Sequence, residues 1–257
     1  MPDLPDILPN ILPDINPRPS YGPTGLEHVV YFSSVHGSGK STLISQLSKA
    51  LGEVSPQNKS LSRSHVTYAS DFSLHLEDCV ERVMWRVTKY WLDAHRQAAR
   101  AIEATTSNPG AVLLGDRCIF DNIAYSNAFV KLGWITKQDL CTHQSLIDAL
   151  FEKETGYSYL PHRVISLQPP LEWVKERLNL RWKDAPKKWH EDDFDYLKVV
   201  MESFQEFYST EVYTLGVPIE ITTIKETNLE DRLRIAQGVC NKVRKQKTPS
   251  KIPSKTP

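Results

Sequence analysis

The stretch His28-Val-Val-Tyr-Phe-Ser33-Ser34-Val35-His36-Gly37-Ser38-Gly39-Lys40-Ser41-Thr42 decides how this chain folds. A short β-branched and aromatic run enters a glycine-rich turn, and Lys-Ser-Thr then opens a helical pattern. That order builds a phosphate cradle. Glycine at 37 and 39 lets backbone N–H groups turn inward on an anion with no Cβ in the way. A helix starting near Gly39 adds its dipole and its unpaired N–H groups. Lys40 brings a mobile positive charge to the β- and γ-phosphates, and the Ser41 hydroxyl can ligate Mg²⁺. The residues expected around the phosphates are therefore His36, Gly37, Ser38, Gly39, Lys40, Ser41 and Thr42. The pattern G-x-x-x-x-G-K-[ST] has one departure here, since Ser34 stands in place of its first glycine. A chance glycine–serine turn would not carry both the strand before and the helix after.

The 257 residues fit one domain with a substantial core. Lys and Arg together equal Asp and Glu at 31 each, so net charge argues neither for nor against a polyanionic partner. Cys79, Cys118, Cys141 and Cys240 are scattered without a C-x-x-C pair. A disulfide framework or zinc site is not expected, and reduced thiols in a cytosolic or nuclear compartment are. No run approaches membrane-spanning length, and no basic region precedes an apolar core at the N-terminus.

Both ends differ from the middle. Residues 1–25 carry seven of the 17 prolines in a loose four-residue rhythm, which forbids a helix and favours an extended strap. Ile7, Leu8, Ile11, Leu12 and Ile15 between them can lie in a groove; a disordered leader is the other reading. Residues 244–257 form a basic, proline-bearing tail without acid. It reads as disordered and solubilising, with a weak nucleic-acid contact as the alternative. Residues 26–243 form the folded domain.

Within that domain strand and helix alternate, which argues for a parallel sheet covered on both faces, an α/β fold. Strands are predicted at about 28–33, 65–69, 111–114, 163–167 and 217–221, five in all. Helices are predicted at about 39–51, 74–105, 119–131, 137–153, 171–181 and 229–243. Thr136 with Asp139 three residues on has capping-box spacing. Phe194, Leu197, Met201, Phe204 and Tyr208 recur at three and four, so they mark the buried stripe of a further helix.

Two more signals carry chemistry. Asp116-Arg117 closes the third strand, where ligands gather in open α/β sheets. The carboxylate can hold Mg²⁺ and the guanidinium can fork onto a phosphate oxygen; standing alone the pair would read as a strand-end salt bridge. Arg177, Arg181, Lys183, Lys187 and Lys188 span a helix end and a loop. They read as a flexible lid that folds over phosphates, or else as a solvated charged hairpin. Arg177 and Arg181 lie one turn apart on one face and are the stronger candidates.

The order Ser-x-x-Gly-x-Gly-Lys-Ser-Thr, then Asp-Arg-x-x-x-Asp-x-x-Ala-Tyr over 116–125, then a strand into Pro169-Pro170 and an arginine-bearing helix, resembles the thymidylate kinase and deoxynucleoside kinase group of P-loop kinases. Asp192-Asp-Phe-Asp195 with Phe204-Gln-Glu-Phe-Tyr208 after it is similar to the post-lid segment of thymidylate kinases. The resemblance spans about 28–243. It implies a three-layer fold around a five-stranded parallel sheet with a lid, ATP and Mg²⁺, and a nucleoside or nucleotide acceptor. It also makes a homodimer plausible. By that likeness Arg117 touches the acceptor, Asp116 with Ser41 the metal, and the loop at about 222–227 the adenine.

One departure bears on the acceptor. Thymidylate kinases place an Arg-Glu-Pro-Gly-Gly run after the second strand, and this chain has Ser70-Asp71-Phe72-Ser73. Asp71 fits a base toward an acceptor hydroxyl, as the acid there serves in deoxynucleoside kinases, whereas an ionised monophosphate needs cations instead. The lid and post-lid helix favour a nucleoside monophosphate acceptor. The alternatives are a hydroxyl of a nucleoside or of a modified nucleotide in DNA or RNA, and a nucleotide-dependent switch or regulatory ATPase with no acceptor.

Overall fold

The computed structural model describes residues 26–51, 80–107, 112–142, 160–187, 190–215 and 219–246. β1 (Val29–Ser33) is buried along its whole length, as its continuous apolar sequence requires of a parallel strand covered on both faces. It pairs in parallel with β2 (Leu113–Asp116) on one side and with β3 (Arg163–Leu167) on the other. β4 (Glu220–Ile224) pairs in parallel with β3, so the sheet runs β2-β1-β3-β4. The predicted strand at 65–69 lies outside the described residues, as does Asp71.

The pleat divides β1 between two cores. Val29 and Tyr31 pack with α2 (Val80–Ser107), α3 (Ile119–Lys131) and α5 (Phe194–Ser209), through Val83, Val87, Phe120, Phe129, Phe204 and Phe207. Val30 and Phe32 face the other way, onto Leu43, Ile44 and Leu47 of α1 (Lys40–Ala50) and Val239 and Val243 of α6 (Leu229–Gln246). Three layers result. Tyr31 needs Gly115 opposite it, because a Cβ at 115 would lie 2.3 Å from the ring.

The helices at 119–131 and 171–181 begin and end where the sequence places them, the latter being α4 (Leu171–Arg181). Residues 137–142 are helical, and Thr136 and Asp139 cap each other: Asp139 N donates to Thr136 Oγ1 at 3.1 Å and Thr136 N to Asp139 Oδ2 at 3.0 Å. Two strands are shifted. β2 runs 113–116 rather than 111–114, and β4 runs 220–224 rather than 217–221. β4 starts at Glu220, whose partner is Arg163, the first residue of β3. The stripe of α5 is turned slightly from expectation, with Val200 fully buried and Met201 half-buried.

β1 sits between β2 and β3, and the chain crosses from one side of it to the other. The carboxyl ends of these three strands therefore open onto a topological switch point, where an α/β sheet holds its ligand.

Candidate active site

Residues 34–39 turn tightly between β1 and α1, with Gly37 at φ 73° and Gly39 at φ 77°. Both angles are left-handed, the region where glycine carries no steric cost. Space is short as well: a Cβ on Gly37 would lie 2.8 Å from Leu178 of α4. Gly39 caps α1 without a side-chain bond, and the first turn of α1 carries no acid. The N–H groups and dipole of α1 are thus left for an external anion. Ser41 and Thr42 are exposed beside it.

Ser34 explains its own departure from the glycine pattern. Its Oγ accepts from Ser38 Oγ at 2.6 Å, its N–H donates to Asp121 Oδ1 at 3.3 Å, and its carbonyl accepts from Arg117 Nη1 at 2.8 Å. The serine is a fully buried node that a glycine would only partly replace.

Lys40, almost buried, forms an ion pair with Asp116 across the end of β2. The Phe32–Asp116 register puts the carboxylate beside the phosphate loop, and Gln97 Nε2 of α2 holds the Asp116 carbonyl at 3.1 Å. The Asp116 side chain remains a quarter exposed. With the Ser41 hydroxyl it offers the hard oxygen donors that suit Mg²⁺. Among the described residues no group of three or more His, Cys, Asp or Glu could hold a metal. A cation here would take its other ligands from phosphate oxygens and water.

Arg117 behaves differently from the expectation of a fork held out to a phosphate. Its backbone sits at φ 70°, a left-handed angle that costs a non-glycine residue about 1–2 kcal/mol. The turn swings its guanidinium inward, where Nη1 donates to Asp121 Oδ1 at 3.0 Å as well as to Ser34 O, with the charge 5.2 Å over the Tyr125 ring. Burial alone would lower the Arg117 pKa, but Tyr125, Asp121 and Tyr90 outweigh it and raise it above the ordinary arginine range. Asp121 is fully buried and also accepts from Cys118 N at 3.0 Å, completing the N-terminal cap of α3.

The arginines of α4 separate. Arg177 is exposed and lies 4.8 Å over the Trp173 ring. Arg181 is held by an ion pair to Glu191, whose buried carboxylate also lies 3.6 Å from His36 Nδ1 in the phosphate loop. Glu191 so joins the loop to the segment read as a lid. At the far end of that segment Trp134 stacks on Tyr196 of α5 and on Phe129 of α3, with centroids 5.4 and 5.7 Å away. The loop after β4 begins at 225, since Thr222–Ile224 belong to the strand. Arg232 of α6 reaches back to the phosphate loop and donates through Nη1 to Ser38 O at 2.8 Å.

Lys40, Asp116, Arg117, His36 and Ser41 are therefore brought to one corner, with Arg177 and Arg181 on the helix above. Gln97, Glu191 and Arg232 carry no signal in the sequence. Asp121 does: it is an acid four residues after Arg117 on an otherwise apolar helix face.

Comparison with known proteins agrees with this geometry. The family model described as deoxynucleoside kinase matches residues 35–247. A deoxyadenosine kinase from M. mycoides solved with bound dATP superposes with a TM-score of 0.57 at 15% identity, covering 83% of this chain and 99% of that one. A thymidylate kinase from Candida albicans superposes at 0.54 and 18% identity, over 84% and 93% of the two chains. A sequence search of curated proteins returned no match.

Proposed function

The chain belongs to the deoxynucleoside kinase family, and from that premise we propose that it transfers the γ-phosphoryl group of ATP to a hydroxyl of a deoxynucleoside. Phosphoryl transfer to a nucleoside or nucleotide follows from the family. The choice of a hydroxyl over a monophosphate rests on Arg117. A guanidinium already bonded to Asp121 and Ser34 O, and buried over Tyr125, has little charge left to offer an acceptor phosphate. The Ser70-Asp71-Phe72-Ser73 run supports the same choice.

In this reading the backbone N–H groups at 39–42 and the Lys40 ammonium bind the β- and γ-phosphates. Lys40 exchanges its bond to Asp116 for one to phosphate oxygen as the donor enters. Ser41 and Asp116 would hold Mg²⁺, which when bound neutralises charge between the β- and γ-phosphates. The acceptor oxygen attacks the γ-phosphorus, the bond to the β–γ bridging oxygen breaks, and the hydroxyl proton passes to the Asp71 carboxylate. Arg177 and Arg181 follow the charge spreading over the γ-oxygens. Arg181 must leave Glu191 to do so, which links lid position to the phosphates.

The test is a panel of deoxynucleosides and their 5′-monophosphates with ATP and Mg²⁺, products being separated by charge. Transfer to at least one nucleoside is expected. Asp71→Asn should lower kcat about a hundred- to ten-thousand-fold with little change in KM. Transfer to monophosphates alone, with Asp71→Asn fully active, would return Arg117 to an acceptor phosphate. ATP hydrolysis with no acceptor would leave the switch.

A further inference from the structure

We propose that Arg232 is a donor-site residue whose guanidinium binds a phosphate oxygen of the nucleoside triphosphate. The inference rests on the kinase reading above and adds to it a side chain from the last helix.

Arg232 is only 2% exposed and is the largest fully buried side chain among the described residues. Nη1 donates to Ser38 O at 2.8 Å, Nε donates to Glu226 O at 2.5 Å, and the plane lies 4.5 Å over Trp173. These contacts fix the guanidinium in place and orientation. They leave Nη2 buried with no hydrogen-bond partner among the described residues. A buried charged donor without an acceptor is costly to leave unmade, so such an atom in a cleft points to a missing ligand.

The surroundings say which kind. Both bonded acceptors are neutral carbonyls, and the Arg177 guanidinium also lies over the Trp173 ring, 4.8 Å from its centroid. Burial, then the Arg177 charge, push the Arg232 pKa down to about 10, against the opposing pull of Glu226. Two guanidinia crowded at one tryptophan are relieved by an anion, not by a neutral base edge. The location agrees. A Cβ on Gly39 would lie 3.2 Å from Nη1, so the guanidinium abuts the residue that caps α1. That is the uncapped, acid-free helix start to which phosphates are drawn. Arg232 thereby completes from α6 a site whose other cations come from α1 and α4.

Calorimetric titration without acceptor tests this, using ATP with Mg²⁺ and, separately, inorganic tripolyphosphate. Arg232→Met should bind both about ten- to a hundredfold more weakly, the worth of one charge-assisted bond, while KM for the acceptor is unchanged. Arg232→Lys keeps the charge without the fork, and a loss of several-fold is expected; it decides the matter if the Met variant fails to fold. Wild-type affinity for both ligands in either folded variant would overturn the proposal. A loss with ATP but none with tripolyphosphate would overturn the phosphate assignment, and an equal loss in acceptor KM would reduce Arg232 to a structural role. Failure of the wild-type protein to bind ATP is a separate result, and it would overturn the kinase reading itself.

Discussion

The phosphate loop and the Arg117 corner lie side by side at the ends of β1 and β2, yet they are built in opposite ways. The loop presents backbone: two left-handed glycines, an uncapped helix start, and one lysine. Its side chains have partners in the protein, but the start of α1 has no side-chain cap and no acid in its first turn. The corner presents side chains that satisfy one another, Arg117 to Asp121 and Ser34, Asp121 to Cys118. Its charge is spent internally. A binding surface is left incomplete by its own fold, whereas a frame closes on itself. Proximity to the chemistry does not by itself separate the two roles; the count of satisfied partners does.

The largest effect that would sharpen this contrast is expected from Asp121→Ala. Removing the carboxylate leaves the Arg117 charge buried and unpaired, which should cost about 3–5 kcal/mol of stability in a urea titration. A loss under about 1 kcal/mol would break the contrast, since a frame cannot be dispensable. Lys40→Ala should do the reverse. Phosphoryl transfer should fall about a hundredfold or more while the urea midpoint stays close to wild type. In Asp116→Asn the Mg²⁺ concentration for half-maximal rate should rise steeply, and an unchanged metal titration would make Asp116 a partner of Lys40 and nothing else. The smallest effect belongs to Ser34→Gly, at the seam between the two regions. Loss of its hydroxyl bond to Ser38 should cost about 1 kcal/mol with the transfer rate within a few-fold of wild type.

Legibility in the sequence divides along the same line. The phosphate loop, α3, β3 and α4 are legible because their signals are local: a glycine spacing, a cap, a periodic stripe. β4 starts three residues later than composition suggests. Val217-Pro-Ile-Glu-Ile has strand composition on its own, while the register is set by Arg163 on another strand. The corner is legible only in part: Asp121, four residues after Arg117, can be read, and the long-range partners cannot. Ser34 meets Asp121 across 87 residues and Ser38 meets Arg232 across 194. No pattern along the chain records such pairs. Arg117 is the instructive case, since its place at the strand end can be read and its orientation cannot. A positive φ at a non-glycine residue is imposed by its surroundings.

Tyr31 and Gly115 face one another on adjacent strands, directly behind Asp116. Because the ring occupies the place where any side chain at 115 would stand, neither position can drift alone. A larger residue at 115 collides, and a smaller one at 31 opens a void in the core. A change at one position alone costs stability, and a larger residue at 115 is accommodated only with a smaller one at 31. The two residues act as one unit, as a lock and its key do, and their fit holds β2 against β1 in the register that sets Asp116 beside the phosphate loop.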